Sequence, residues 1–245
     1  MDFLLLEQVD STNSYVSHHA ASLADMTMVI ADSQTAGRGQ RGNSWESEPG
    51  KNLTFTLLHR PKGVLPREQF AISEATALAV ADFLEENGIS AAVKWPNDIY
   101  VGDRKIAGIL IEHSLTGSAI TDSRIGVGLN VNQLEFRSDA PNPVSMRQLT
   151  GQDYDISRTA ARVGAHLERR LAMASTPEGR ETLHAEFRRR LWRGDGGAYP
   201  FRRRGEEVIF HGVITGVSPE GPLSVRDTAT GETSEFMFKE VEFVL

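Results

Sequence analysis

Residues 32–45, DSQTAGRGQRGNSW, interleave three glycines (Gly37, Gly39, Gly42) with two arginines (Arg38, Arg41), directly after the apolar run MTMVIADSQ (residues 26–34). A buried strand that empties into such a loop restricts the fold. Each glycine opens positive φ and bares a backbone N–H, a row of N–H groups forms a nest for an anion, and guanidinium groups add forked, permanently charged donors. This is not the phosphate loop of the P-loop nucleotidases, because GRGQRGNS lacks the G-K-[ST] ending. Nor is it a dinucleotide fingerprint. The G-x-G-x-x-G order is present, but residues 43–50, with Pro49 among them, do not continue as the helix that motif opens. From this segment alone two readings stay open: a loop that closes over an anionic ligand, and a solvated surface loop.

The flanking pattern mixes strands and helices. FLLLEQV (residues 3–9) reads as a strand, and DSTNSYVSHHAASL as a helix opening with Asp10 or Ser11 as N-cap. KNLTFTLLHR (residues 51–60) alternates in part as a strand. After Pro66 a helix runs through REQFAISEATALAVADFLEENG, with Phe70, Ala71, Ala75, Leu78, Ala81 and Leu84 on its inner face and Asn87-Gly88 as its stop. AAVKWPNDIYVGDRKIAGILIEHS reads as a strand, a turn at Pro96-Asn97, a hairpin at Gly102-Asp103 and a returning buried strand. SRIGVGLNVNQ (residues 123–133) is the next strand, with glycines where something must approach the backbone closely. Two amphipathic helices follow, SRTAARVGAHLERRLAMA and TPEGRETLHAEFRRRLW, the second capped by Thr176 with Pro177 in first helical position. RGDGGAYP is a linker, and from Tyr199 to Leu245 short strands and frequent turns carry a small β-barrel signature. The expected fold is α+β: a mixed sheet with helices mostly on one face in residues 1–195, then a small barrel in residues 196–245.

Two further segments bear on chemistry. In KWPNDIYVGDRKIAGIL, Lys94, Asn97 and Asp98 flank a Pro-fixed turn, and Lys105 stands at the edge of an otherwise buried strand. A lysine there either puts a point charge into a pocket floor or snorkels to solvent, and Asn97-Asp98 either serve a ligand or make a turn. In GVGLNVN, Asn130 follows a glycine-bearing strand and either meets a ligand or caps the strand end.

The formal charge of −7 argues against a general nucleic-acid binder, whose affinity depends on many phosphate-neutralising cations. With no cysteine, disulfides, thiol nucleophiles and cysteine-held zinc are excluded, and the expected compartment is the cytosol. The start MDFLLLEQVDSTN lacks the cationic opening and longer apolar core of a secretory signal, and no window approaches a membrane-spanning run.

Together, DSTN, QTAGRGQRGNSW, KWPNDIYVGDRKIAGILIE and GVGLNVN closely resemble the biotin protein ligases over roughly residues 3–132. The combination of GRG-x-x-G-x-x-W with KWPND and RK-x-AG-I carries the specificity, and the terminal barrel agrees with that family's SH3-like domain. The resemblance implies a class II synthetase-like biotin/lipoate ligase catalytic domain. It implies activation of biotin with ATP to biotinyl-5′-AMP, with release of pyrophosphate, and transfer to one lysine of a biotin carboxyl carrier protein. It assigns Ser11, Thr12, Asn13, Gln34, Gly37, Arg38, Gly39, Gln40, Lys105 and Gly108 to biotin. Arg41, Trp45, Lys94, Asn97, Asp98 and Asn130 go to ATP, catalytic roles to Lys105 and Arg38, and a Mg2+ contact to Asp98. Many members carry an arginine where this chain has Gln40, so Arg38 and Lys105 are expected to bear most of the anion binding.

Some members carry an N-terminal helix-turn-helix domain and repress transcription. This chain starts almost at its first strand, so the expectation is an enzyme that binds neither DNA nor membrane, with a homodimer left open. The alternatives are a lipoate or octanoate ligase, whose catalytic fold is similar, and a non-catalytic biotin-binding module.

The remaining polar residues have plainer readings. His18 and His19 lack metal-ligand spacing and read as surface groups. Trp95 reads as core. Glu112 closes an apolar strand, where it either orients Lys105 or is simply solvated. The runs FRRRLWR and PFRRRGEE read as a solvated helix face and hinge, or as a cationic surface for an acidic carrier domain.

Overall fold

The computed structural model describes residues 1–39, 44–137 and 142–245, so Gln40 and Arg41 lie outside the described residues. In chain order the elements are β1 (Asp2–Val9), α1 (Thr12–His19), β2 (Thr27–Gln34), β3 (Leu53–His59), α2 (Phe70–Glu86), β4 (Ala92–Lys94), β5 (Asp98–Val101), β6 (Arg104–Thr116), β7 (Ala119–Leu129), α3 (Met146–Thr150), α4 (Ile156–Ala174) and α5 (Pro177–Arg189), followed by β8 (Tyr199–Arg203), β9 (Ile209–Val217), β10 (Leu223–Asp227), β11 (Thr233–Phe236) and β12 (Val241–Phe243).

Among the described residues the first seven strands form one mixed sheet in the order β1-β2-β3-β7-β6-β5-β4, parallel at the β1–β2 pair and antiparallel beyond it. Strand alternation sends successive side chains to opposite faces. Met28, Ile30, Leu53, Phe55, Leu57, Ile109, Ile125, Val127 and Leu129 point to one face, where α2 and α4 cover them and α5 packs on those helices in the main core. Val29 and Leu58 point to the other face and pack on Val16 of α1. The inner face read for α2 is buried, but so is most of the rest of that helix, Ala77, Ala79 and Val80 included. The reason is tertiary: α4 and α5 pack over the side turned away from the sheet.

The caps follow the sequence signals. Thr176 accepts from the Gly179 N–H at 3.1 Å with Pro177 beside it, and Asp155 caps α4 through Arg158 N–H at 2.7 Å. The short helix α3, not read from the sequence, is also capped: Ser145 Oγ accepts from Gln148 N–H at 3.2 Å, the Gln148 side chain accepts from Ser145 N–H at 2.9 Å, and Gly151 ends it at positive φ.

Residues 199–243 build a second, antiparallel sheet in the order β11-β10-β9-β8-β12 around Phe201, Ile214, Val225, Phe236 and Val241, an arrangement consistent with an SH3-like unit. It is tied to the first sheet. Trp95 is buried as expected and donates its indole N–H to the Gly221 carbonyl at 2.8 Å, with Phe238 against its ring at 5.4 Å. The arginine runs are largely committed to the fold. Arg202 pairs with Glu242 at 2.8 Å, Arg203 lies over Phe210 at 5.4 Å, and Arg193 lies over Trp192 at 4.1 Å.

Candidate active site

The face of the first sheet that α1 leaves uncovered holds a pocket open to solvent. Its floor is made by omission. Gly128 of β7 pairs with Gly108 of β6 and Thr54 of β3, and Gly126 pairs with Leu110 and Thr56. A Cβ on Gly128 would collide with the indole of Trp45, and one on Gly126 would come within 2.5 Å of Asn13 Oδ1. Glycine is therefore required here for close approach rather than for a positive φ.

The inner end of the pocket is polar and uncharged. Ser11 stands at the N-cap of α1, and Ser11, Thr12 and Asn13 are each about 3% exposed. Gln34 Oε1 accepts from Thr12 N–H at 2.8 Å and from its hydroxyl at 3.2 Å. Thr56 donates to Thr12 Oγ1 at 2.8 Å and also lies against Asn13 Oδ1. Thr54 and Thr56 were not anticipated from sequence. Their signal was the alternation LTFTL, which puts two hydroxyls on the face opposite Leu53, Phe55 and Leu57.

The charged groups of the pocket stand at two places, Lys105 beside Asp98 and Arg38 beside Glu112. Lys105 reaches the pocket because the β5–β6 ladder slips by one residue: Ile99 pairs with Ala107 but Tyr100 with Lys105. The bulge re-aims the lysine, bringing it onto the face of Asp98 and Gly108 while Ile106 enters the core. Lys105 Nζ lies 2.7 Å from Asp98 Oδ1 and 5.5 Å from the Trp45 ring centre. Arg38 Nη2 lies 3.2 Å from Glu112 Oε2, so the partner of Glu112 is Arg38 and not Lys105. Gly37 sits behind this rim, its carbonyl accepting from Trp45 N–H at 3.0 Å, while Gly39 borders the pocket.

On the ATP side the assigned residues separate. Asn97 and Asp98 line the pocket, Asn97 bonding the Ile109 carbonyl at 2.6 Å. Lys94 does not line it. Its ammonium sits among the rings of Tyr100, Trp192 and Phe243 at 4.9, 5.8 and 5.5 Å, and burial pushes its pKa down. Asn130 is buried beside the pocket, its Nδ2 donating to the Val144 carbonyl at 3.1 Å. Two buried atoms here have no partner among the described residues, the acceptor Asn130 Oδ1 and the donor Trp45 Nε1. Unmet buried groups cost about 1–3 kcal/mol each and mark places where a ligand has something to bond.

A protein-built Mg2+ site does not fit. Asp98 is already paired to Lys105, and the described residues contain no cluster of three or more His, Cys, Asp or Glu side chains able to hold a metal.

Residues 5–130, just over half of the chain, match the biotin/lipoate A/B protein ligase family. The chain belongs to this family. A biotin–[acetyl-CoA-carboxylase] ligase of Paracoccus denitrificans is 30% identical over 236 residues, 92% of this chain and 94% of that protein. The bifunctional ligase/repressor BirA of Escherichia coli K12 is 34% identical over 171 residues, 69% of this chain but 52% of that protein. The chain thus spans about half the length of some curated relatives and nearly all of another. A biotin protein ligase from Aquifex aeolicus, solved in complex with biotin and ATP, superposes with a TM-score of 0.80 over 99% of both chains at 24% identity, which shows the shared fold of this ligase family.

Proposed function

We propose that this chain is an ATP-dependent biotin–protein ligase: it joins biotin to ATP as biotinyl-5′-AMP and passes the biotinyl group to a lysine of a carboxylase's biotin carrier domain. The observation that carries the reading is a glycine-floored pocket lined both by two cations, Arg38 and Lys105, and by an uncharged set of hydrogen-bonding groups. The bicyclic urea of biotin offers two N–H donors and one carbonyl acceptor, matched by Thr12, Asn13, Thr56 and Gln34. The biotin tail carboxylate then points toward the cations.

Carboxylate and α-phosphate repel one another. Lys105 and Arg38 offset that repulsion and stabilise the charge that grows as a carboxylate oxygen attacks phosphorus and pyrophosphate leaves. In the second step the carrier's neutral lysine amine attacks the acyl carbon and AMP departs. The orphaned Asn130 Oδ1 and Trp45 N–H suit the amino group and a ring nitrogen of adenine. Mg2+ enters as part of the nucleotide substrate. The division into a ligase unit (residues 1–195) and a terminal sheet unit (residues 196–245) belongs to the same proposal. No helix among the described residues is long and apolar enough to cross a membrane, which suits an enzyme that meets a soluble carrier.

The deciding experiment is pyrophosphate release from MgATP with biotin, lipoate or octanoate added singly. Release with biotin alone is expected, falling at least about 100-fold in Lys105→Ala, the scale of a lost transition-state charge contact. Release with lipoate instead would make this a lipoate ligase. Biotin binding without any release would make it a binding module.

A further inference from the structure

We propose that Glu112 is a positioning residue that holds Arg38 in register with the α1 end of the pocket, and that it influences adenylate formation through Arg38. This rests on the ligase reading above.

Glu112 stands on β6 two residues beyond Leu110, on the pocket face. One oxygen, Oε2, accepts from two groups that are far apart in sequence: Arg38 Nη2 at 3.2 Å and Asn13 Nδ2 at 3.3 Å. The nearest alternative cation is committed elsewhere. Arg124, directly opposite Glu112 on β7, donates to Ser114 Oγ at 2.8 Å and Asp122 at 3.0 Å. Asp98 is paired to Lys105, so the two pocket cations have separate carboxylates.

Asn13 is in turn fixed on every side. It is 3% exposed, lies against Thr56, and sits where Gly126 leaves no Cβ. A continuous polar chain therefore runs from Gln34 through Thr12, Thr56, Asn13 and Glu112 to Arg38. Gln34 and Arg38 are four residues apart at the start of the glycine loop, so the chain closes on itself through the backbone. Glu112 is its charged link. It converts the rigid position of α1 into a position for a guanidinium carried on a loop, whose own glycines supply no rigidity. An aliphatic side chain at 112 would remove the ion pair that holds the Arg38 guanidinium among the described residues.

The test is a double-mutant cycle on biotin-dependent pyrophosphate release, with kcat and the biotin KM read separately. Glu112→Ala is expected to lower kcat about 10-fold with KM changed less than about 3-fold, as fits a half-exposed charged contact acting on one catalytic group. Glu112→Gln, which still accepts from both donors, restores most of that loss. Added to Arg38→Ala, Glu112→Ala has no further effect, whereas added to Lys105→Ala it multiplies. A full multiplicative loss on top of Arg38→Ala overturns the inference, as does an unchanged kcat in Glu112→Ala. If the alanine variant does not fold, Glu112→Leu, which keeps most of the volume and accepts from neither donor, carries the same cycle. An Arg38→Ala enzyme with undiminished release overturns the role given to Arg38 beneath it, and is distinguishable because Glu112 then has nothing to act through.

Discussion

On β7, Ile125, Val127 and Leu129 face the helices, while Gly126 and Gly128 between them face the pocket. The two sides of one strand follow opposite rules. The helix side gains stability from volume, about 1.5–3 kcal/mol for each buried aliphatic side chain. The pocket side gives that up, and glycine there loses more conformational entropy on folding than any other residue. Function on this sheet is obtained by withholding side chains from one face while the other holds the strand in place.

The contrast can be broken from either side. The largest effect is expected from Gly128→Val, whose side chain takes the space of the Trp45 indole: biotin-dependent pyrophosphate release falls by about 100-fold or more while the melting temperature changes little, because no core contact is touched. Its mirror image is Ile125→Ala, three residues earlier and fully buried, which costs about 3 kcal/mol in denaturant unfolding and leaves activity per folded molecule within about 3-fold. Thr56→Val keeps the volume and deletes the hydroxyl shared by Thr12 and Asn13. Biotin affinity should drop about 10-fold by calorimetry, with ATP affinity nearly unchanged. An equal loss for both ligands would deny that this end of the pocket is specific.

The smallest effect sharpens the comparison through His113, a polar residue on the helix side of β6. It lines a crevice with Phe70, Ile111 and Phe238, and bonds Ser123 Oγ at 2.8 Å. Burial first, then the Arg124 charge, hold its pKa below the ordinary histidine value. The folded state therefore binds fewer protons than the unfolded chain in the window between that lowered pKa and 6.5, and stability falls as pH drops through it. His113→Asn should flatten that slope in unfolding titrations from pH 7 to 5, while His59 and His166, also lowered by burial, keep theirs.

What could be read in advance divides along the same line. Local features were legible: the β2 run into the glycine loop, the start of α1 after Asp10-Ser11, the Thr176-Pro177 helix start and the change of pattern near Tyr199. They depend on neighbours within a few residues. The bulge that turns Lys105 inward depends on the register with β5, and the pairing of Glu112 with Arg38 spans 74 residues. Neither leaves a trace in spacing. That Lys94 lies outside the pocket was not legible, because two of the three rings around its ammonium, Trp192 and Phe243, come from 98 and 149 residues further on. Thr56 was readable in principle, since a hydroxyl opposite a glycine on the next strand marks the face that is kept open.

The bond from Trp95 to Gly221, together with the ring of Phe243 over Lys94, has a practical consequence for dissecting the molecule. Severing the connection near residue 196 would leave two pieces that still adhere. Discarding the smaller one would wet an indole and strip the cover from a lysine, both adjacent to the hairpin that carries Asp98. A truncated ligase unit would be missing part of its own interior rather than an appendage.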